Sequence, residues 1–183
     1  MKKLCPIFII SFLLSMPVVT QADQHDLRLD DLFSRLITTK NVKMAHLISE
    51  DIWNIWSRYD NKDVTELFNN GETAMNRGDF QTALNNFNNV IEIAPGFAEA
   101  WNKRATVYYQ MENYQASLAD IIETLKLEPR HFGAITGRGL CYMKLDKWQL
   151  ALNSFEQALG INPWLQRVSE NIKYLKRMLS QTV

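Results

Sequence analysis

Three histidines, one cysteine within the body of the chain and several paired carboxylates are the groups with which this sequence would do chemistry. Their spacing argues against it. His25, His46 and His131 are far apart, and no two stand at the short intervals from which metal ligands are built. Cys141 sits beside Tyr142 in an apolar helical pattern and reads as a buried thiol, because a reactive cysteine needs an electropositive, partly open setting. Asp30-Asp31 and Glu50-Asp51 fall on the polar faces of their segments. Gly137 and Gly139 lie inside a helical pattern, and no glycine-rich phosphate loop is present. These residues point to no enzyme, no metal and no cofactor. Arg104 and Arg138 are the remaining chemical candidates, 34 residues apart. One reading has each arginine bridge two helices to a carboxylate such as Asp120; the other makes them a pair of hooks for a ligand's anionic group.

That interval of 34 recurs. Pro95, Pro129 and Pro163 are each 34 residues after the last and close three blocks of one layout. A fixed period of this length means one supersecondary unit stacked on copies of itself. Aligned on the prolines, the fourth positions are Leu67, Trp101 and Ile135, and the eighth Gly71, Ala105 and Gly139. The twentieth are Ala83, Ser117 and Ala151, and the twenty-fourth Phe87, Ile121 and Phe155. Small residues at the eighth and twentieth positions let two helices of about 13 residues approach closely. Large side chains at the fourth and twenty-fourth positions fill the space around the contact. Arg77-Gly78-Asp79, Met111-Glu112-Asn113 and Leu145-Asp146-Lys147 divide each pair, and proline stops each second helix. Asp63 with Glu66 resembles a capping box for the first block.

The pattern resembles the tetratricopeptide repeat family. Trp101, Gly71 and Gly139, Tyr108 and Tyr142, Ala83 and Ala151, Phe87 and Phe155 and the three prolines carry the likeness. Asn70, Arg104 and Arg138 stand where leucine is common, and Ser117 replaces alanine. The resemblance implies an all-α fold, a right-handed solenoid of antiparallel helix hairpins. Residues 64–97, 98–131 and 132–163 form the three repeats.

The flanks follow helical periodicity. In residues 23–63, Leu29, Leu32, Phe33, Leu36 and Ile37 form one apolar series, and Ala45, Ile48, Ile52, Trp56 and Tyr59 another. Asn41 is placed to cap the second of these helices. Trp53 and Trp56 are expected to pack on the first repeat. Residues 164–183 carry Leu165, Val168, Ile172, Leu175 and Leu179 as one stripe, a capping helix begun by Asn162-Pro163.

Residues 1–22 read as a secretory leader. Lys2 and Lys3 precede the apolar run Ile7–Leu14, and Thr20-Gln21-Ala22 supplies the cleavage site, with the cut after Ala22. The stretch from Leu4 to Val19 has 16 residues and two prolines, short of the roughly 20 needed to span a bilayer. The expectation is a periplasmic or secreted protein with no stable membrane insertion after cleavage. Losing Lys2 and Lys3 takes 20 basic groups to 18 against 20 acidic ones, which argues against nucleic acid or anionic lipid as the main partner.

In the resembled family the first helices of successive repeats line a concave groove. By alignment the groove-facing positions hold Thr65, Phe68, Glu72, Met75 and Asn76, then Glu99, Asn102, Thr106, Tyr109 and Gln110, then Gly133, Thr136, Leu140, Met143 and Lys144. Apolar and amphipathic residues alternate there with amides that suit a peptide backbone, and Asn102 is the best single candidate. One branch of the family holds chaperone C-termini through a clamp of lysines, asparagines and an arginine. Phe68, Glu72, Gly133 and Gly137 stand at the equivalent positions, so the clamp is absent. The implied function is a protein or peptide scaffold without catalysis, bearing on an envelope protein. The alternative is a structural or oligomerising subunit joined through Trp164 or through Trp53 and Trp56. The groove is open, or closed in part by the N-terminal pair.

Overall fold

A computed structural model describes residues 26–181. The leader expected at residues 1–22, its expected cleavage site and His25 lie outside them. Among the described residues the chain forms nine helices: α1 Arg28–Thr38, α2 Val42–Trp56, α3 Lys62–Asn76, α4 Phe80–Ile93, α5 Ala98–Gln110, α6 Tyr114–Leu127, α7 Phe132–Lys144, α8 Trp148–Ile161 and α9 Gln166–Gln181. Helices α3/α4, α5/α6 and α7/α8 are the three hairpins of an all-α solenoid, and α9 packs on α8.

Each hairpin turns in the same way. Gly78, Glu112 and Asp146 occupy the same position in their repeats and all have positive φ, at 78°, 61° and 55°. The amide after each reaches back to the carbonyls of Ala74, Tyr108 and Tyr142 at 2.9 Å, the bond pattern of a helix closed by one left-handed residue. Asp79 and Asn113 then cap α4 and α6, accepting from Thr82 N and Ala116 N. Lys147, at the equivalent place before α8, provides no side-chain cap.

The small residues at the hairpin crossings are matched to what faces them. A Cβ on Gly71 would lie 2.7 Å from Phe87 Cε1, and one on Gly139 would lie 2.5 Å from Phe155 Cε1. The middle repeat has Ala105 at this position and Ile121 opposite, so a methyl group fits where the facing ring is replaced by a slimmer aliphatic chain. Ser117 keeps its hydroxyl satisfied on Ala105 O at 2.8 Å. Arg104 makes a two-pronged bond to Asp120, both contacts at 2.8 Å, and also reaches Asn88. Arg138 departs from the expected carboxylate pairing. Its partners are Ser154 and Gln157, because Ser154 stands at the place that Asp120 fills one repeat earlier.

The N-terminal pair does not extend the stack. Instead α2 and the turn after it run along the row of residues that follow the three prolines. Tyr59 packs on Phe97 with ring centroids 5.1 Å apart. Trp56 stacks on His131 at 4.2 Å, and Trp53 meets Phe132 edge-on at 5.4 Å. Farther along, Ser49 accepts from Asn162 Nδ2, and Leu36 O accepts from Trp164 Nε1. Phe97, His131 and Leu165 each stand two residues after a proline, so α2 is a strap laid across all three repeats. Seven residues of helix, the interval from Trp56 to Ser49, rise about 10 Å, close to the spacing of packed helices. The tryptophans expected against the first repeat therefore meet the start of the third. The core of α1 and α2 gathers Phe132, Ile161, Trp164 and Leu165 rather than residues of α3 and α4.

Local expectations at three helix ends also differ. Asn41 caps α2 as expected, but α3 is capped by Asn61, whose side chain accepts from Asp63 N and Val64 N, so Asp63 lies within the helix. Asn162-Pro163 does not open α9, which begins at Gln166. Asn162 is buried: it ends α8, accepts from Trp164 N and donates to Ser49. Ile37, a member of the α1 apolar series, is 53% exposed because only Leu29, Leu32, Phe33 and Leu36 face α2.

Candidate binding groove

Helices α5 and α7 lie side by side as the first helices of their repeats, and a concavity of about 170 Å³ opens between them. From α5 come Asn102, Thr106 and Tyr109; from α7 come Gly133, Thr136, Gly137 and Leu140; Ser117 and Ile121 of α6 complete the floor. Five of the eleven residues singled out from the sequence as a binding set therefore converge here: Asn102, Thr106, Tyr109, Thr136 and Leu140. Both threonine hydroxyls already bond carbonyls of their own helix, Thr106 to Asn102 O at 3.0 Å and Thr136 to Phe132 O at 2.8 Å. Tyr109 leans on Tyr114, and burial raises its phenol above the ordinary range. What the concavity offers is shape, apolar surface and one amphipathic ring.

The comparisons with known proteins bear on this arrangement. A family model described as tetratricopeptide repeat matches residues 102–163, the stretch that holds most of the groove. A TPR repeat-containing protein of Rhizobium etli is 32% identical over 153 residues, covering 84% of this chain and 75% of the relative. The chain belongs to the tetratricopeptide repeat family. Its fold is similar to a first TPR domain of Spaghetti (RPAP3) solved with the HSP90 peptide SRMEEVD, with TM-score 0.63, 17% identity and coverage of 66% of this chain and 96% of that one. The Sgt2 TPR domain of Aspergillus fumigatus matches with TM-score 0.63 and 18% identity, covering 67% of this chain and 82% of that one.

The other residues of the expected binding set of this TPR protein lie elsewhere. Phe68 is 2% exposed and packs its ring on Phe87 and Phe97, so it belongs to the core rather than to the groove. The reason is the strap: Tyr59 lies against Phe97 and seals that end of the first repeat. Glu72 is paired with Lys103 at 2.7 Å. Met75 is half-buried against the core of α3 to α5, and Met143 against that of α7 to α9. Asn76 and Gln110 are exposed.

Two further groove positions are closed. Gly133 lies under the indole of Trp53, where a Cβ would come within 2.5 Å of Cη2. Glu99 is wholly buried. Its Oε2 accepts from Asn102 Nδ2 at 3.0 Å and from His131 Nε2 at 2.8 Å. The tautomer follows from the other ring nitrogen: His131 Nδ1 accepts from Ala134 N and caps α7, so the proton is on Nε2. Oε1 of Glu99 lies 3.4 Å from Lys103 Nζ, an ion pair without hydrogen-bond geometry. Burial pushes the Glu99 carboxyl up, but His131, Lys103 and Asn102 together hold it below the usual glutamate value.

This cluster was the feature hardest to find in the sequence. His131 stands alone there, and the one signal that could point to it is its place two residues after Pro129, matching Phe97 and Leu165. Asn102, the favoured peptide hydrogen-bonder, is only 8% exposed and commits its amide nitrogen to Glu99. Cys141 is buried, donates to Ser117 Oγ at 3.3 Å, and has its thiol pushed up by burial.

Proposed function

We propose that this TPR protein is a non-enzymatic interaction scaffold that holds an extended segment of another protein between α5 and α7. The observation that carries the reading is the convergence of Tyr109, Thr106, Thr136 and Leu140 on one concavity of about 170 Å³. That size accommodates a single apolar side chain. The fold is one that typically serves protein interaction, and the Spaghetti domain was solved with a peptide bound. An acidic C-terminus is not the segment proposed here. Phe68 and Glu72 replace the clamp, and the cationic Lys103 is already engaged by Glu72 and Glu99. The proposed segment is neutral and inserts one bulky aliphatic or aromatic side chain.

The leader at residues 1–22 supports placing this work outside the cytoplasm, with an envelope protein as partner. N-terminal sequencing of the protein recovered from cells tests the cut after Ala22. Joining of subunits through the tryptophans is less favoured. Trp56 is buried within the chain and Trp164 is tied to Leu36 O.

Photo-crosslinking from Thr136 in cell envelopes should capture one partner. Gly137→Leu, which fills the concavity beside Ile121, should abolish that capture while the helical spectrum is kept. Capture unaffected by Gly137→Leu and by Tyr109→Ala would exclude this groove as the site.

A further inference from the structure

On the other side of Trp53 the surface opens into a second, larger cleft of about 500 Å³, between α2 and the residues leading into α7 and α9. Three aromatic rings, Trp53, Phe132 and Trp164, wall it, with Val42 and Leu165 beside them. The walls are fixed before any ligand arrives: Trp53 meets Phe132 edge-on, and Trp164 is held by its bond to Leu36 O at 3.1 Å. Preformed apolar clefts of roughly 300–1,000 Å³ are the usual form of small-molecule sites.

The polar groups that reach this cleft are mostly engaged already. Asn162 bonds Ser49 and Trp164 N, and His46 lies 3.2 Å from Glu50. A peptide lying here would bury backbone donors and acceptors against aromatic walls, where few free polar groups could meet them. Hydrocarbon makes no such demand. Lys43 differs from its neighbours. It lines the cleft and makes no ion pair with another described residue. Glu50, the carboxylate in the lining, faces His46 rather than Lys43. Beside Lys43, Val42 is 66% exposed, Met44 43% and Leu47 54%. The cleft thus presents one ammonium that no carboxylate engages, with the exposed Val42 beside it and aromatic walls behind.

We propose that this cleft binds an anionic amphiphile of the fatty-acid class, its acyl chain between Trp53, Phe132 and Trp164 and its carboxylate at Lys43. The site is independent of the groove between α5 and α7, and either stands without the other.

Stearate labelled with bromine tests it, because bromine quenches only the tryptophans it touches. Added to the protein below its micellar concentration, the probe should give saturable quenching. The quenching should survive Trp101→Phe, which alters a tryptophan of the α3–α5 core, and vanish in the Trp53→Phe/Trp164→Phe pair. Lys43→Glu, at an exposed position, should weaken stearate about tenfold and leave the brominated fatty alcohol unchanged. The proposal is overturned by an absence of saturable quenching, by quenching that persists without Trp53 and Trp164, or by equal stearate affinity in Lys43→Glu.

Discussion

The imidazole of His131 lies 4.2 Å from the indole of Trp56 and within 12° of parallel to it. The same ring caps α7 through Nδ1 and donates to buried Glu99 through Nε2. One side chain thereby joins the N-terminal strap, the second repeat and the third. Because its loss strands a buried carboxylate, His131→Ala should cost about 3 kcal/mol. His131→Asn keeps an acceptor for Ala134 N and should recover about 1 kcal/mol of that loss. Urea unfolding at pH 7, followed by circular dichroism, measures both. Equal stability of the two variants would mean that the cap contributes nothing.

The Glu99 carboxyl supplies a pH dependence of definite sign. Its folded pKa lies below the ordinary 4.5, so the stability it contributes is complete above that value and is lost as pH falls through the depressed one. Asp120 runs the other way: burial raises its carboxyl despite Arg104, so protonating it favours the fold as pH falls. Between neutral pH and acid, the urea midpoint of the wild type should therefore fall further than that of a variant without the Glu99 carboxylate. In Glu99→Gln it should start lower at neutral pH and fall less steeply in acid. Parallel profiles would show that Glu99 does not titrate with unfolding.

The hairpins were legible in the sequence because each repeat confirms the next: one period of 34 residues assigned core, turn and crossing positions at once. The strap was not. Trp53 and Trp56 have the spacing of a buried helical face, but periodicity says which face is buried and not what covers it. The row that receives them, Phe97, His131 and Leu165, is formed only when the repeats stack. Phe68 was misplaced for the same reason, since α3 has the strap's trailing turn where α5 and α7 have a preceding repeat. Thr106, Tyr109, Thr136 and Leu140 were readable because α5 and α7 are flanked on both sides, as the alignment assumes.

Two glycines of α7, four residues apart, should respond to alanine with opposite sign. A Cβ on Gly133 would meet Trp53 at 2.5 Å and force the strap to shift, at a cost of about 1–3 kcal/mol. A Cβ on Gly137 meets only Ile121 Cδ1, at 3.5 Å, so Gly137→Ala should gain the ordinary helix preference of about 0.5–1 kcal/mol. Combining Gly133→Ala with Trp53→Ala should cost at least 1 kcal/mol less than the sum of the single changes, roughly the coupling expected of residues in contact. Additive costs in urea unfolding would show that Trp53 does not rest on Gly133.

Arg104 and Arg138 occupy one position in adjacent repeats but have unlike partners. Removing Arg104 leaves Asp120, whose side chain is 6% exposed, without its cation, and should cost about 3 kcal/mol. Removing Arg138 leaves only the neutral Ser154 and Gln157 and should cost about 1 kcal/mol. Thermal unfolding of the two alanine variants compares them directly, and equal costs would mean that the Asp120 carboxylate is not dependent on Arg104.

The three hairpin turns carry the last prediction, because they solve one problem with different residues. Position for position, Gly78 adopts positive φ without a side chain, whereas Glu112 at 61° and Asp146 at 55° crowd a Cβ against the backbone. Aspartate tolerates this region better than glutamate, so Glu112→Gly should stabilise by about 1 kcal/mol and Asp146→Gly by less. The next position repeats the comparison: Asp79 and Asn113 cap their helices and Lys147 does not. Lys147→Asp supplies the missing acceptor at the N-terminus of α8 and should add about 1 kcal/mol. Glu112 and Lys147 lie in different repeats, so their gains should add and raise the melting temperature by roughly 4–8 °C in the double variant. A double variant no more stable than Lys147→Asp alone would show that the left-handed glutamate carries no strain.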